Sequence, residues 1–419
     1  MAFERRLIMP WKETCVMEQR ARFVMDVLKG TYCISELCTA YGVSRKTAYK
    51  WLRRFEQGGF EALHDRSRAP HSHPHEISRQ VKEAILAVKR RFPKWGAPKI
   101  RDWLERIHSD WDRYPAISTI GLLLQKQGLT CSRRRRRKAT PSKLPLTSGR
   151  YSNHVWCADF KGHFRTANGS RCNPLTISDH ASRYLLCCRH LVRMSYELTK
   201  MHFERTFRRY GMPEVIRTDN GAPFASVGLA GLSRLSYWWI RIGIYPERIE
   251  PGHPEQNGRH ERMHKTLKSH TANPPAKTII QQQRRFNSFR AEYNDYRPHE
   301  ALAMRTPAEC YRKSPRQFPE RLPKVSYPDH MQVKKVQDHG DIKYLGRRLF
   351  TTECLGGQYI GIEQKDENLS LLWYCGYLLG ELDHKTWRIG PVKVRHSSPQ
   401  PAAEMNEPKP LKVLPMSSA

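Results

Sequence analysis

The chain has 419 residues, with 73 Lys plus Arg against 40 Asp plus Glu, and a formal net charge of +33. That length is too great for one hydrophobic core and points to three or more domains, while a charge far beyond what solubility needs points to a polyanionic partner. No run of about 18 apolar residues is present to cross a membrane, Met1 to Lys12 is not built like a signal peptide, and the eleven cysteines include no CxxC pair, so a membrane protein, a disulfide scaffold and a zinc ribbon are not spelled out.

Residues 13 to 57 read as helical. Ile34, Leu37, Cys38 and Tyr41 fall at i, i+3, i+4, i+7, and Ala48, Trp51, Leu52 and Phe55 repeat that spacing. Between them Gly42-Val43-Ser44 supplies a turn glycine, an apolar plug and an N-cap hydroxyl, the layout of a helix-turn-helix over residues 1–65. The second helix of that motif enters the major groove, so Ser44, Arg45, Lys46, Tyr49, Lys50 and Arg53 are its candidate DNA contacts. The alternative is an ordinary helical hairpin with a solvated basic face.

Arg66 to Glu76, with Pro70, Pro74 and three alternating histidines, reads as a linker; His71, His73 and His75 have no partner cysteines and read as solvated, not metal-binding. Apolar residues at helical spacing from Ile77 to Leu129 predict a second helical unit over 75–130, winged or three-helical, also for DNA. The basic run Arg133, Arg134, Arg135, Arg136, Arg137 and Lys138 cannot bury itself and repels itself into an extended form. Residues 131–150 are therefore a basic linker that can lie along phosphates.

From His154 the pattern changes to a mixed α/β domain: strands at Val155 to Phe160, Leu175 to Ser178 and Tyr184 to Cys188, a helix from near Ser195 to Gly211, then the strand Glu214 to Thr218. Asp159 lies inside an otherwise apolar strand, where an unpaired charge is costly and a cation is the obvious partner. Asp219 ends the next strand before the turn Asn220-Gly221, a position that opens onto a crevice. Glu261 opens a helix where the Pro and Gly punctuation stops at Gly258; Glu261, Lys265 and Lys268 share one face of it, and Met263 and Leu267 another. Three acids from two strands and a helix can hold two divalent ions for an in-line displacement at phosphorus.

Past residue 320 the chain turns to short strands: Met331 to Val336, Lys343 to Tyr344, Arg348 to Thr351, Gln358 to Glu363, Leu369 to Tyr374 and Tyr377 to Leu382. They predict a small five-stranded SH3-like β-barrel over 322–396, for DNA or for structure, followed by a disordered tail over 397–419.

The segments Trp156…Asp159-Phe160-Lys161-Gly162, Ser178-Asp179-His180-Ala181-Ser182-Arg183-Tyr184, Thr218-Asp219-Asn220-Gly221-Ala222-Pro223-Phe224 and Gln256-Asn257-Gly258-Arg259-His260-Glu261 resemble the catalytic core shared by retroviral integrases and bacterial insertion-sequence transposases. Tyr293 to Leu302 and Thr306-Pro307-Ala308-Glu309 resemble the segment that closes that core in the bacterial members. The resemblance implies a ribonuclease-H-like integrase core over 151–318, making the chain a multidomain α/β protein, with Asp159, Asp219 and Glu261 as catalytic and metal-binding residues. It further implies Mg2+ or Mn2+, two ions per active site, and metal-dependent 3′-end cleavage and strand transfer of DNA. The partners implied are double-stranded DNA, both transposon ends and target, and further copies of the chain as a dimer or tetramer on DNA. A membrane is not among them, an accessory ATPase is left open, and the site of action is the bacterial cytoplasm, at the nucleoid. The resemblance also gives Asp179 a structural role, with a partner such as Arg183, and leaves Glu255, which precedes the helix, outside the motif position. The segment Ser226 to Trp239 departs from the pattern as an insertion between Asp219 and Glu261. The alternatives are a catalytically silent DNA-binding regulator on the same fold, which the presence of all three acids disfavours, and a simple nuclease, which leaves the flanking units unexplained.

Overall fold

The structure, a computed structural model, describes residues 15–67, 77–130, 146–160, 162–226 and 228–391. His71, His73, His75, the run Arg133 to Lys138, Lys161 and the tail from Ser397 lie outside the described residues. The chain divides into two compact units, Met1–Ile77 and Ser78–Ala419.

The first unit is three helices, α1 (Val16–Lys29), α2 (Ile34–Ala40) and α3 (Arg45–Gly58), closed by a 3-10 turn at Phe60–Leu63. Their apolar stripes meet in one core of Phe23, Val24, Leu37, Cys38, Ala48, Trp51 and Leu63. The turn between α2 and α3 follows the sequence pattern: Gly42 takes a φ of 64°, Val43 donates its N–H to the carbonyl of Cys38, and Ser44 Oγ accepts from the amide of Thr47 at 3.2 Å.

The second unit begins with α4 (Arg79–Arg91), α5 (Ala97–Ile107) and α6 (Ile117–Lys126). No strand accompanies these helices among the described residues 77–130, so the block is three-helical and carries no wing there. It is seated on the rest of the unit through the edge-on pair Trp103 and Tyr296, and through Arg106, whose guanidinium meets Glu309 Oε1 at 2.6 Å and the carbonyl of Met304 at 2.8 Å.

Next come β1 (Val155–Phe160), β2 (Phe164–Arg165), β3 (Arg171–Asp179), β4 (Leu185–Leu191), α7 (Tyr196–Tyr210), β5 (Val215–Thr218), α8 (Arg234–Arg241), β6 (Tyr245–Arg248), α9 (Gly258–Thr271), α10 (Ile279–Ala291) and α11 (Pro307–Cys310). The strands make one mixed sheet in which β3 lies antiparallel between β4 and β1, β1 runs parallel to β5, and β5 parallel to β6. This is the mixed α/β sheet that the strand and helix order predicts, and the ribonuclease-H-like one that the resemblance implies; the two-residue β2 is too short to show in the sequence pattern. Because neighbouring side chains alternate across a strand, Trp156, Ala158, Leu175 and Ile177 bury against α7 and α8, while Cys157, Asp159, Thr176 and Ser178 face the opposite side, where α9 lies. Gly211 ends α7 where a Cβ would come within 2.5 Å of the carbonyl of Ser314, so no larger residue fits.

The segment Ser226 to Trp239, read as an insertion, carries most of α8. Leu235, Trp238 and Trp239 of that helix enter the main core, and Tyr237 and Ile240 enter the core of the C-terminal strands. Those strands are β7 (Gln332–Lys335), β8 (Asp341–Tyr344), β9 (Arg347–Phe350), β10 (Tyr359–Gln364), β11 (Leu369–Tyr374), β12 (Tyr377–Asp383) and β13 (Arg388–Gly390). Among the described residues they form no closed barrel where a small five-stranded SH3-like barrel was expected: the sheet is ordered β13-β12-β11-β10-β7, and β8 and β9 form a separate hairpin. Its apolar face is already covered by Tyr237 and Ile240 of α8 and by Ile342, Tyr344 and Leu349 of the hairpin, so burial does not require the sheet to close on itself.

Loss of the α3 cap in Ser44→Ala is expected to lower the local stability of the first unit by about 1 kcal/mol. Hydrogen exchange reads this directly: faster exchange in α3 with β1 unchanged is the expected result, and an equal change in both would contradict two separately cooperative units.

Candidate active site

Asp159 and Asp219 are neighbours by strand register. Ala158 pairs with Thr218 in the parallel ladder, and each acid is the next residue at the same end of its strand. Adjacent strands lie about 4.8 Å apart, so the two backbones hold these residues at neighbouring positions. Arg217, two residues before Asp219, does not neutralise them: it is buried and bound to Glu247 Oε2 at 2.7 Å.

Burial raises the pKa of Asp219 above the usual carboxylate range, partly offset by backbone N–H groups of Gly221 and of Asp219 itself. Its Oδ1 is buried with no hydrogen-bond partner, an orphan acceptor that a cation or a proton would satisfy. A hard divalent ion, which takes carboxylate oxygens, fits this donor set.

The polar stripe of β3 tightens the other acid. Thr176, the register partner of Asp159, places its hydroxyl 3.1 Å from the Asp159 carbonyl and within 2.8 and 2.6 Å of Nε2 of His260 and His264, all three side chains buried. The carbonyl can only accept, so the Thr176 hydroxyl donates to it and receives both imidazole N–H groups. Ser178 Oγ lies 2.7 Å from Nδ1 of His260, and Nδ1 of His264 stands 3.5 Å from Oδ2 of Asp159. A continuous chain therefore runs from Ser178 through two histidines of α9 to Asp159. These histidines escape a reading centred on the acids, although Thr176 and Ser178 alternating with Leu175 and Ile177 on a buried strand signal polar partners on the facing helix.

Glu261 stands three residues before His264, so α9 carries it on the flank adjoining the Asp159 contact, but its side chain is exposed. Met263 and Leu267 are buried, and Lys265 and Lys268 are exposed beside Glu261. Among the described residues no three His, Cys, Asp or Glu side chains are gathered closely enough to hold an ion, so the first two acids are brought together and the third is not. Glu255 is engaged with His253 Nδ1 at 2.7 Å in the preceding 3-10 turn.

Asp179 is structural, but its partner is not Arg183. Its carboxylate accepts from the amide of Asn153 at 2.7 Å and from the amide and hydroxyl of Ser182 at 2.8 and 2.6 Å, which satisfies it locally. Arg183 makes no ion pair among the described residues, and its Nε is buried without a partner.

On α3, Arg45, Lys46, Tyr49, Lys50 and Arg53 are exposed on one side of the helix, while the Ser44 hydroxyl serves as its cap. Arg133 to Arg137 lie outside the described residues.

Thr176→Val keeps the shape but strands two buried imidazole N–H groups, each costing about 1–3 kcal/mol. A denaturant midpoint shifted by more than about 2 kcal/mol equivalent is expected, and an unchanged midpoint would show that the hydroxyl is not shared as described.

Two models described as integrase core domain match residues 150–254 and 242–307, one described as a helix-turn-helix domain matches 19–71, and one described as a homeodomain-like domain matches 47–124. A 31.7 kDa protein of insertion element IS407 from Burkholderia multivorans is 28% identical over 191 residues, covering 45% of this chain and 66% of its own length. A 39.2 kDa protein of insertion element IS476 from Xanthomonas euvesicatoria is 28% identical over 180 residues, covering 42% and 49%. The chain thus spans less than two thirds of either relative. Among solved structures, the HTLV-2 integrase catalytic core domain in complex with magnesium is 17% identical over 39% of this chain and all of its own, at a TM-score of 0.31. The simian T-cell lymphotropic virus intasome in complex with a PP2A regulatory subunit is 18% identical over 68% and 91%, at 0.35. With an integrase core domain behind helix-turn-helix domains, the chain resembles the bacterial insertion-sequence transposases with an integrase-like core.

Proposed function

We propose that the chain is a DNA transposase that binds transposon ends through its helical units and cuts and joins DNA at Asp159, Asp219 and Glu261. The observation that carries this reading is the pairing of Asp159 and Asp219 at the same end of adjacent parallel strands, with a buried, unpartnered carboxylate oxygen on Asp219. Two Mg2+ or Mn2+ ions, held by these acids, would supply Lewis acidity to the attacking and leaving oxygens of the phosphodiester.

The chain's own residues do the rest. Thr176 and His264 hold Asp159 in place, the backbone at Gly221 holds Asp219, and Glu261 completes the set by swinging from its exposed position on α9. In the first step a water oxygen bonds to phosphorus at the transposon end as the bond to the 3′ oxygen breaks, leaving a 3′ hydroxyl. That hydroxyl then bonds to a target-strand phosphorus as the target's 3′ oxygen leaves, so each step exchanges one P–O bond for another and no covalent protein intermediate is needed. Lys265 and Lys268, exposed beside Glu261, are placed to meet phosphates. Arg45, Lys46, Tyr49, Lys50 and Arg53 on α3 contact the end sequence, with the Arg133 to Arg137 run along the backbone. Acting on two ends calls for a dimer or tetramer assembled on DNA in the bacterial cytoplasm. The open C-terminal sheet, expected as an SH3-like barrel, serves as an additional DNA-facing element.

The test is cleavage and joining of a labelled duplex carrying the element's own terminus, with Mg2+ or Mn2+. Asp219→Asn and Glu261→Gln are each expected to lose both steps by at least about 100-fold while binding the duplex as wild type does, and chelation of the metal is expected to do the same. Wild type that binds tightly and never cuts would overturn the transposase reading in favour of a silent DNA-binding regulator.

A further inference from the structure

Asp159 and Asp219 are held by different means. Asp159 has the Thr176 and His264 contacts behind it. Among the described residues no side chain hydrogen-bonds to the Asp219 carboxylate, which is steadied by backbone N–H groups of Gly221 and of Asp219 itself. Where the Asp219 oxygens point therefore depends on the path of the loop that follows it. A Cβ on Gly221 would come within 3.1 Å of Asp219 Oδ2, so loop and carboxylate are already close together. A loop left unfastened would sample many paths, and the carboxylate with it.

The loop is fastened on several sides. Towards the edge of the sheet, Asn220 donates from Nδ2 to the carbonyl of Ile249 at 2.8 Å. Arg248, the register partner of Thr218 on β6, donates from its guanidinium to the carbonyls of Ala230 and Gly231 at 2.6 and 3.0 Å. Towards α8, the carbonyl of the buried Phe224 accepts from the hydroxyls of Ser233 and Ser236, both at 3.0 Å, and its ring meets those of Trp239 and of Phe160, the residue after Asp159. Ala225 pairs with Leu232 as an isolated antiparallel bridge, and Ser226 Oγ donates to the carbonyl of Leu232 at 2.7 Å. Towards the C-terminal strands, Leu232 is buried in their core and Leu229 and Ala230 pack against it. A Cβ on Gly380 of β12 would come within 3.2 Å of Leu229 Cδ1, so turn and sheet are in close contact.

The turn Leu229–Gly231 is where these fastenings meet, and its backbone is costly. Ala230 and Gly231 take φ of 53° and 65°, the first unfavourable for a residue with a side chain, and a Cβ on Gly231 would collide with Arg248 Nη1. Apolar burial on one side and a charged donor on the other hold a conformation that the turn would not keep alone. We propose that the C-terminal sheet is a positioning element of the active site: with Arg248 it braces the loop after Asp219 and so sets where that carboxylate meets the metal. Arg248 is the positioning residue, acting through the turn and not on the acid itself. The assignment rests on the transposase reading and adds to it a role for the C-terminal strands that does not require them to touch DNA.

The test follows Mn2+ bound to the full chain, alone and with its end duplex, by electron paramagnetic resonance, with Asp219→Asn marking the signal that belongs to Asp219. Arg248→Met is expected to weaken that manganese about tenfold, and Arg248→Lys, which keeps a charged donor, to fall between it and wild type. Gly231→Ala, which pushes the guanidinium off its carbonyls, and Leu229→Ala, which loosens the turn from the sheet, are expected to weaken it in the same direction while binding the duplex as wild type does. Hydrogen exchange is expected to quicken in residues 219–226 and to stay unchanged in β1 and β3. A merely structural role would instead quicken exchange throughout the sheet and leave the folded fraction with its wild-type affinity for manganese. Wild-type manganese affinity in Arg248→Met, Gly231→Ala and Leu229→Ala, or a wild type with no manganese that depends on Asp219, overturns the brace. Cutting of the end duplex, followed in parallel, keeps the two readings apart. Cutting by wild type with manganese affinity unmoved in the variants removes the brace alone, whereas weakened manganese in the variants without cutting by wild type removes the transposase reading and leaves the brace.

Discussion

The parallel pairing of β1 with β5 is the constraint on which the rest of the site depends. In an antiparallel pair the residues that follow the two strands emerge at opposite ends; in a parallel pair they emerge together. The ladder from Val155↔Val215 to Ala158↔Thr218 therefore puts Asp159 and Asp219 next to one another without any help from their side chains. The Asp219 carboxylate is buried with an unsatisfied oxygen, so the fold maintains a local desolvation cost that a cation removes. The surrounding core, with Trp156, Phe203, Phe207 and Trp239 fully buried, is what holds the backbone to that arrangement.

Around this pair the protein separates rigid from adjustable parts. Asp159 is held from behind by Thr176 and His264, in a buried network of hydrogen-bond and ion-pair contacts. Glu261, by contrast, is on the exposed side of α9. Buried histidines anchor that helix to the sheet, so Glu261 has a defined starting point. A site completed on binding DNA and metal, not before, would keep the chemistry idle until both are present.

Much of this was legible from residue patterns, and the misses have physical causes. The Gly42-Val43-Ser44 turn, the Ser195 to Gly211 helix and the β1 and β5 strands are written in local signals, caps and turn glycines that act within a few residues. Met263 and Leu267 were legible as the packed face of α9, but His260 and His264 were not, because their burial depends on Thr176 and Ser178 some 80 residues away in the chain. Asp179 was read as structural with the wrong partner: a cation is the first thought for a buried acid, yet two backbone amides and a hydroxyl satisfy it at less desolvation cost. The C-terminal strands were legible from alternation, but closure was not, since whether two edges meet depends on what else covers the sheet, here Tyr237 and Ile240 of α8. That same helix shows why Ser226 to Trp239 reads as an insertion by motif spacing and yet joins two cores.

The most direct measurement of the central claim is the anomalous scattering of Mn2+ in crystals of the full chain bound to its end duplex. If Asp159, Asp219 and Glu261 form the reactive site, two peaks about 3.5–4 Å apart are expected beside the Asp159 and Asp219 carboxylates, with Glu261 turned in to meet one of them. Manganese bound elsewhere, with Glu261 still facing solvent and the Asp219 oxygen still unpartnered, would contradict it.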